Sequence, residues 1–135
     1  MILVFVLDGL RPEVLNPIDS PTLFRLRQEG VNYLNSHAVF PTVTRVNAAT
    51  IATGAYPGSH GLVSNFMSVA QVSRSGRVDT ANFRQLLALA EVTNGQVLLT
   101  KTLGERLQEH GRRFATVSSG SAGTSLLLNP CAMGA

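Results

Sequence analysis

A hydroxyl, a carboxylate and an amide carry the chemistry open to this sequence. Thr44 stands in Phe40-Pro-Thr-Val-Thr-Arg-Val-Asn47, where Pro41 stiffens the backbone just before a helical pattern begins. That places Thr44 at a helix N-terminus, where backbone N–H groups and the helix dipole favour a phosphate or another anion. A hydroxyl there is a nucleophile if a base or a metal lowers its pKa, and a plain helix cap if nothing does. Asp8 follows the apolar run Ile2–Leu7 and precedes Gly9. At the carboxyl end of a strand it would lie where open α/β sheets collect ligands, as a metal ligand or a loop cap. The other reading is a turn-forming Asp-Gly pair. Asn65, downstream of Tyr56-Pro-Gly-Ser-His-Gly61, either offers its amide to a substrate oxygen or closes a turn. His60, in that same stretch, is a metal ligand or, more commonly for such a turn, a structural hydrogen-bonding group. The single cysteine, Cys131, has no cysteine-enzyme signature around it and reads as a small buried hydrophobe.

The elements that must position these groups follow from periodicity and punctuation. Ile2–Leu7 is a continuous branched run, the pattern of a strand buried on both faces of a parallel sheet. A loop through Pro12 and Pro17 leads to Ser20-Pro21, an N-cap followed by proline at the first helical position, and that helix ends at Gly30. Val31–Val39 is a second strand candidate. Val46–Thr53 reads as a short helix closed by Gly54, Tyr56–Gly61 as a turn, and Ser64–Asp79 as a polar surface loop. Phe83, Leu86, Leu87 and Ala90 fall at i, i+3, i+4 and i+7, one face of a helix. Thr102-Leu-Gly-Glu105 is a capping box opening a helix that stops at His110-Gly111. Phe114–Val117 is a short strand and Ser118–Ser125 a small-residue loop. Strands alternating with helices predict an α/β sandwich.

Composition narrows the class. With 135 residues, 44% of them hydrophobic and 14% charged, the chain is globular and sized for one domain. Its net charge is +3, but only Arg112 and Arg113 are adjacent, so no nucleic-acid patch is expected. One cysteine forms no internal disulfide. The apolar opening is too short for a signal-peptide core or a membrane span, and nothing else approaches about 18 apolar residues. As given, the chain reads as soluble and cytoplasmic, with no leader segment in it; its localisation and its oligomeric state are both left open.

Taken in order, the motifs make a pattern. Asp-Gly-Leu-Arg-Pro after a strand, then Phe-Pro-x-x-Thr-x-x-Asn, then Thr-Gly-x-Tyr-Pro-x-Ser-His-Gly with Asn65 four residues on, resembles the alkaline phosphatase superfamily. The likeness is to its nucleotide pyrophosphatase/phosphodiesterase branch. It is specific from Ile2 to about Met67 and looser through the capped helix at Thr102 and the strand Arg113–Ser118. The Cys/Ser-x-Pro-x-Arg string of the related sulfatases is absent.

The resemblance implies a three-layer αβα sandwich with a largely parallel central sheet and two divalent metal ions, zinc by preference. Asp8 matches the first metal ligand. Thr44 matches the nucleophile, which also touches a metal. Asn65 matches the amide that holds a phosphoryl oxygen. The implied substrate is a phosphodiester or nucleotide-like small molecule, and relatives are often exported. The rest of the family's ligand set lies in strings such as Asp-x-x-x-His and Ser-Asp-His-Gly, which this sequence lacks. Residues 1–135 are therefore expected to be the N-terminal part of one catalytic domain, with an incomplete fold and no hydrolase activity alone. A competing expectation is a non-catalytic phosphate- or nucleotide-binding module using the Thr44 helix end or the loop Ser118–Thr124.

Overall fold

Local signals set most of the helices. The computed structural model describes residues 1–73 and 75–131. Its backbone divides into two compact units, Met1–His37 and a larger one beginning at Ala38.

In the first unit, a 3-10 turn at Pro12–Val14 precedes helix α1, Pro21–Glu29. Pro21 opens α1 because its missing N–H would find no helical partner there in any case. The Ser20 hydroxyl does not cap the helix; it donates back to the Asn16 carbonyl at 3.2 Å. Asn16 Oδ1 accepts from the Ile18 and Asp19 amides at 2.9 and 2.8 Å, which turns the chain into α1.

The second unit holds α2 (Thr44–Thr53), α3 (Pro57–His60), strands β1 (Phe66–Ser68) and β2 (Arg77–Asp79), α4 (Phe83–Val92), α5 (Leu103–Glu109) and α6 (Ala122–Leu128). Helix α2 ends where Gly54 takes a left-handed φ of 67°, a conformation glycine reaches without steric cost. Asn82 caps α4, accepting from the Arg84 and Gln85 amides. The capping box of α5 is complete: Thr102 Oγ1 accepts from the Glu105 amide at 3.3 Å, and Glu105 Oε2 accepts from the Thr102 amide at 2.7 Å.

The core joins Val46 and Ala49 of α2, Leu62, Leu86 and Leu89 of α4, Val97, Leu98, and Leu126 and Leu127 of α6. Helix α2 packs on α3, α5 and α6, while α4 packs on α6 and β2. The buried face of α4 is centred on Leu86 and Leu89, leaving Phe83 exposed. The face expected from Phe83 is thus rotated toward position 89.

The mixed α/β class stands, but a parallel central sheet does not emerge. Among the described residues the sheet is a two-stranded antiparallel ribbon, β1 paired with β2. Ile2–Leu7, Val31–Val39 and Phe114–Val117 form no strand. Ile2 to Leu7 are each half or more exposed. The reason is physical: a helix closes its hydrogen bonds within itself, whereas a strand exists only through a neighbouring strand. An apolar run announces burial without supplying the partner. Two stretches expected to be loops contain regular elements among the described residues. Ser64–Asp79 carries both strands, and Ser118–Ser125 runs into α6, whose first turn Ser121 caps by accepting from the Thr124 amide. No helix among the described residues is long and apolar enough to cross a membrane.

Candidate active site

Thr44 is the first residue of α2 and its side chain is exposed. The capping position belongs to Val43, so Thr44 does not serve as the N-cap. The loop before it is held by Asn47, one turn into the helix. Asn47 Oδ1 accepts from the Val39 amide at 3.0 Å, and Nδ2 donates to the carbonyls of Val39, Pro41 and Val43 at 3.4, 3.4 and 3.1 Å. One amide side chain thereby satisfies backbone groups across the whole approach to Thr44. The Phe40–Pro41 peptide in this loop is cis.

Asn65 immediately precedes β1. The register pairs Phe66 with Asp79, so Asn65 falls opposite Thr80, and the Thr80 amide donates to the Asn65 carbonyl at 3.1 Å. The Thr80 hydroxyl donates to that same oxygen at 2.7 Å. Arg45, the residue after Thr44, reaches this corner: Nε donates to Thr80 Oγ1 at 2.8 Å, and Nη2 donates to the Asn65 carbonyl at 3.4 Å and to Asp79 Oδ1 at 3.3 Å. Asp79 Oδ1 also accepts from the Ala81 amide at 2.9 Å. Thr44's helix and the Asn65 segment are therefore tied by one guanidinium. Asn65 Oδ1 is buried and meets no protein donor among the described residues.

His60 is buried at the end of α3. Its Nδ1 accepts from the Leu62 amide at 3.2 Å, so the neutral ring carries its proton on Nε2 and donates to Thr50 Oγ1 at 3.0 Å. Burial holds its pKa below the ordinary value of 6.5. The ring is a neutral strut between α2 and the Leu62 turn. Burial, and then the Glu105 carboxylate, push the Cys131 thiol upward, against the thiolate a nucleophile needs.

Asp8 sits exposed in a turn closed by the Leu10 amide donating to the Leu7 carbonyl at 3.2 Å. It belongs to the first unit, while Thr44 and Asn65 belong to the second. Among the described residues, no three His, Cys, Asp or Glu side chains gather into a group that could hold a metal ion.

Sequence reasoning singled out Thr44 and Asn65 but missed the groups that join them, Arg45 and Thr80. No local signal marks that pair, because it meets across 35 positions. Asn47 was visible only as the last residue of the Thr44 motif.

Known proteins bear on the family. The chain is 42% identical over 66 residues to venom phosphodiesterase 2 of Crotalus adamanteus, a match covering 47% of this chain and 8% of that protein. It is 33% identical over 85 residues to a venom phosphodiesterase of Naja atra, covering 62% and 10% respectively. It is 40% identical over 67 residues to human ectonucleotide pyrophosphatase/phosphodiesterase family member 1, covering 48% and 7%. The chain thus spans about a tenth or less of the length of these curated relatives. No solved structure matches it. The model of the type I phosphodiesterase/nucleotide pyrophosphatase family matches residues 2–118, a span that takes in Asp8, the Thr44 helix, Asn65 and the Arg45–Thr80 corner, and the chain belongs to that family.

Proposed function

We propose that this chain carries the nucleophile and the substrate-holding groups of a metal-dependent phosphodiesterase or nucleotide pyrophosphatase. Thr44 is the attacking hydroxyl, Asn65 holds a phosphoryl oxygen through its side-chain amide, and Asp8 is a metal ligand. The substrate is a phosphodiester or nucleotide-like small molecule. The observation that carries this reading is Thr44 itself, exposed at the first position of a ten-residue helix in a chain of this family. A phosphoryl group there meets the positive end of the helix dipole and an adjacent hydroxyl. Attack by the Thr44 oxygen breaks the bond from phosphorus to the leaving oxygen and leaves the phosphoryl group on Thr44 until water removes it.

The residues present do not fit the pair of divalent ions, zinc by preference, that the resemblance implies. Asp8 and Thr44 offer one carboxylate and one hydroxyl, fewer than the three or four protein ligands of a zinc site. The remaining ligands would have to come from outside residues 1–135.

Hydrolysis of bis(p-nitrophenyl) phosphate with added zinc tests this. The 135-residue chain alone is expected to be inactive. Joined to a segment that supplies the missing ligands, it is expected to turn over, and Thr44→Ala to lower kcat/KM by more than about a thousandfold. Metal-dependent turnover by the chain alone would overturn the ligand shortfall. Phosphate binding indifferent to metal and to Asp8→Ala would favour the non-catalytic binding module instead.

A further inference from the structure

We infer that Arg45 and Thr80 are positioning residues that set Asn65 against the phosphoryl group; this rests on the role proposed for Asn65. The hydrogen bonds run in one direction only. A guanidinium donates and never accepts, so Thr80 Oγ1 must accept from Arg45 Nε at 2.8 Å. The single hydroxyl proton of Thr80 is then committed to the Asn65 carbonyl, 2.7 Å away. Thr80 is fully buried, and the Arg45 side chain is 15% exposed, so this relay is shielded from water. Together with the Thr80 amide and Arg45 Nη2, three donors converge on one oxygen and fix the peptide that orients the Asn65 side chain.

The relay starts on the residue next to Thr44. Any shift of the first turn of α2 is therefore passed to Asn65, keeping nucleophile and oxygen-holder in register. Asp79 balances the guanidinium charge at 3.3 Å and is itself half open to solvent. Lysine at 45 has no planar fork to reach Thr80 and the Asn65 carbonyl together. Valine at 80 keeps the shape and removes the relay, whereas serine keeps the hydroxyl.

The test is a titration of the full 135-residue chain with inorganic phosphate, followed through the Asn65 side-chain amide resonance. Thr80→Val and Arg45→Lys are each expected to weaken phosphate about tenfold and to move that resonance in the free protein, with Thr80→Ser staying within about twofold of the parent. If valine at 80 prevents folding, Arg45→Lys gives the same readout. Unchanged affinity and an unmoved resonance in the folded variants would overturn the inference. Asn65→Ala separates the two layers. If it abolishes phosphate binding while Thr80→Val does not, only the positioning role falls. If it leaves binding intact, or if phosphate never shifts the Asn65 amide in the parent, the role of Asn65 falls and the inference with it.

Discussion

Arg45 Nε donates to Thr80 Oγ1 at 2.8 Å, joining the helix that begins at Thr44 to the strand corner that carries Asn65. The bond is buried at its threonine end, so loss of the hydroxyl leaves the Arg45 Nε donor unmet and takes away the shortest of three donors on the Asn65 carbonyl. Thr80→Val is expected to cost about 1–3 kcal/mol in urea unfolding, while Thr80→Ser costs under about 1 kcal/mol. A serine variant less stable than the valine variant would show that methyl packing, not the hydroxyl, matters at this position.

Helix α6 touches the same corner from behind. The Gly123 amide donates to the Ala81 carbonyl at 3.1 Å, and a Cβ on Gly123 would lie 2.0 Å from the Thr80 carbonyl oxygen. Backbone cannot yield as a flexible side chain does. Gly123→Ala is expected to destabilise by about 3 kcal/mol or more, read as a lowered Tm, and to disturb the Asn65 amide resonance at a distance. An unchanged Tm would mean that α6 is not seated against Thr80.

Asn47 discriminates between two substitutions at one site. Its Nδ2 faces the carbonyls of Val39, Pro41 and Val43. Asn47→Ala removes the donors and is expected to cost about 1–3 kcal/mol. Asn47→Asp keeps the oxygen that serves the Val39 amide but sets a carboxylate against three carbonyl oxygens. It is expected to be less stable than the alanine variant above pH 5, a ranking that chemical denaturation reads directly.

His60 predicts the acid side of the stability curve. Its folded pKa lies below 6.5 because burial disfavours the charged ring. The unfolded chain binds the proton more readily, so stability rises with pH across this interval. The His60 contribution is complete above about 6.5 and is lost as pH falls from there through the folded value. Protonation would also remove the Nδ1 acceptor of the Leu62 amide. Thermal unfolding of the parent should show this loss, and His60→Gln should show a flatter profile over the same interval. Parallel profiles for parent and variant would contradict the neutral strut.

The parts legible in the sequence are those closed by local bonds. Pro21 and Gly30 bracket α1, Gly54 ends α2, and Thr102 with Glu105 starts α5, each through contacts within a turn of the chain. The placement of Thr44 at a helix start follows from the same kind of signal. What depends on distant partners is hidden. Ile2–Leu7 has the composition of a buried strand and forms none, while the polar stretch Ser64–Asp79 forms the ribbon because Phe66–Ser68 and Arg77–Asp79 find each other. Ribbons of this kind gain from pairs such as Arg77 lying 3.8 Å over the Phe66 ring, which no periodicity announces. Arg45 and Thr80 escaped for the same reason: each is unremarkable alone, and their meaning lies in meeting.

The most direct test of the central proposal concerns Thr44. In a metal-supplied protein that carries residues 1–135 and hydrolyses bis(p-nitrophenyl) phosphate, kcat/KM is measured for the parent, Thr44→Ser and Thr44→Ala. The nucleophile role predicts measurable turnover with serine and a loss of more than about a thousandfold with alanine. An alanine variant that retains turnover within about tenfold of the parent would contradict it.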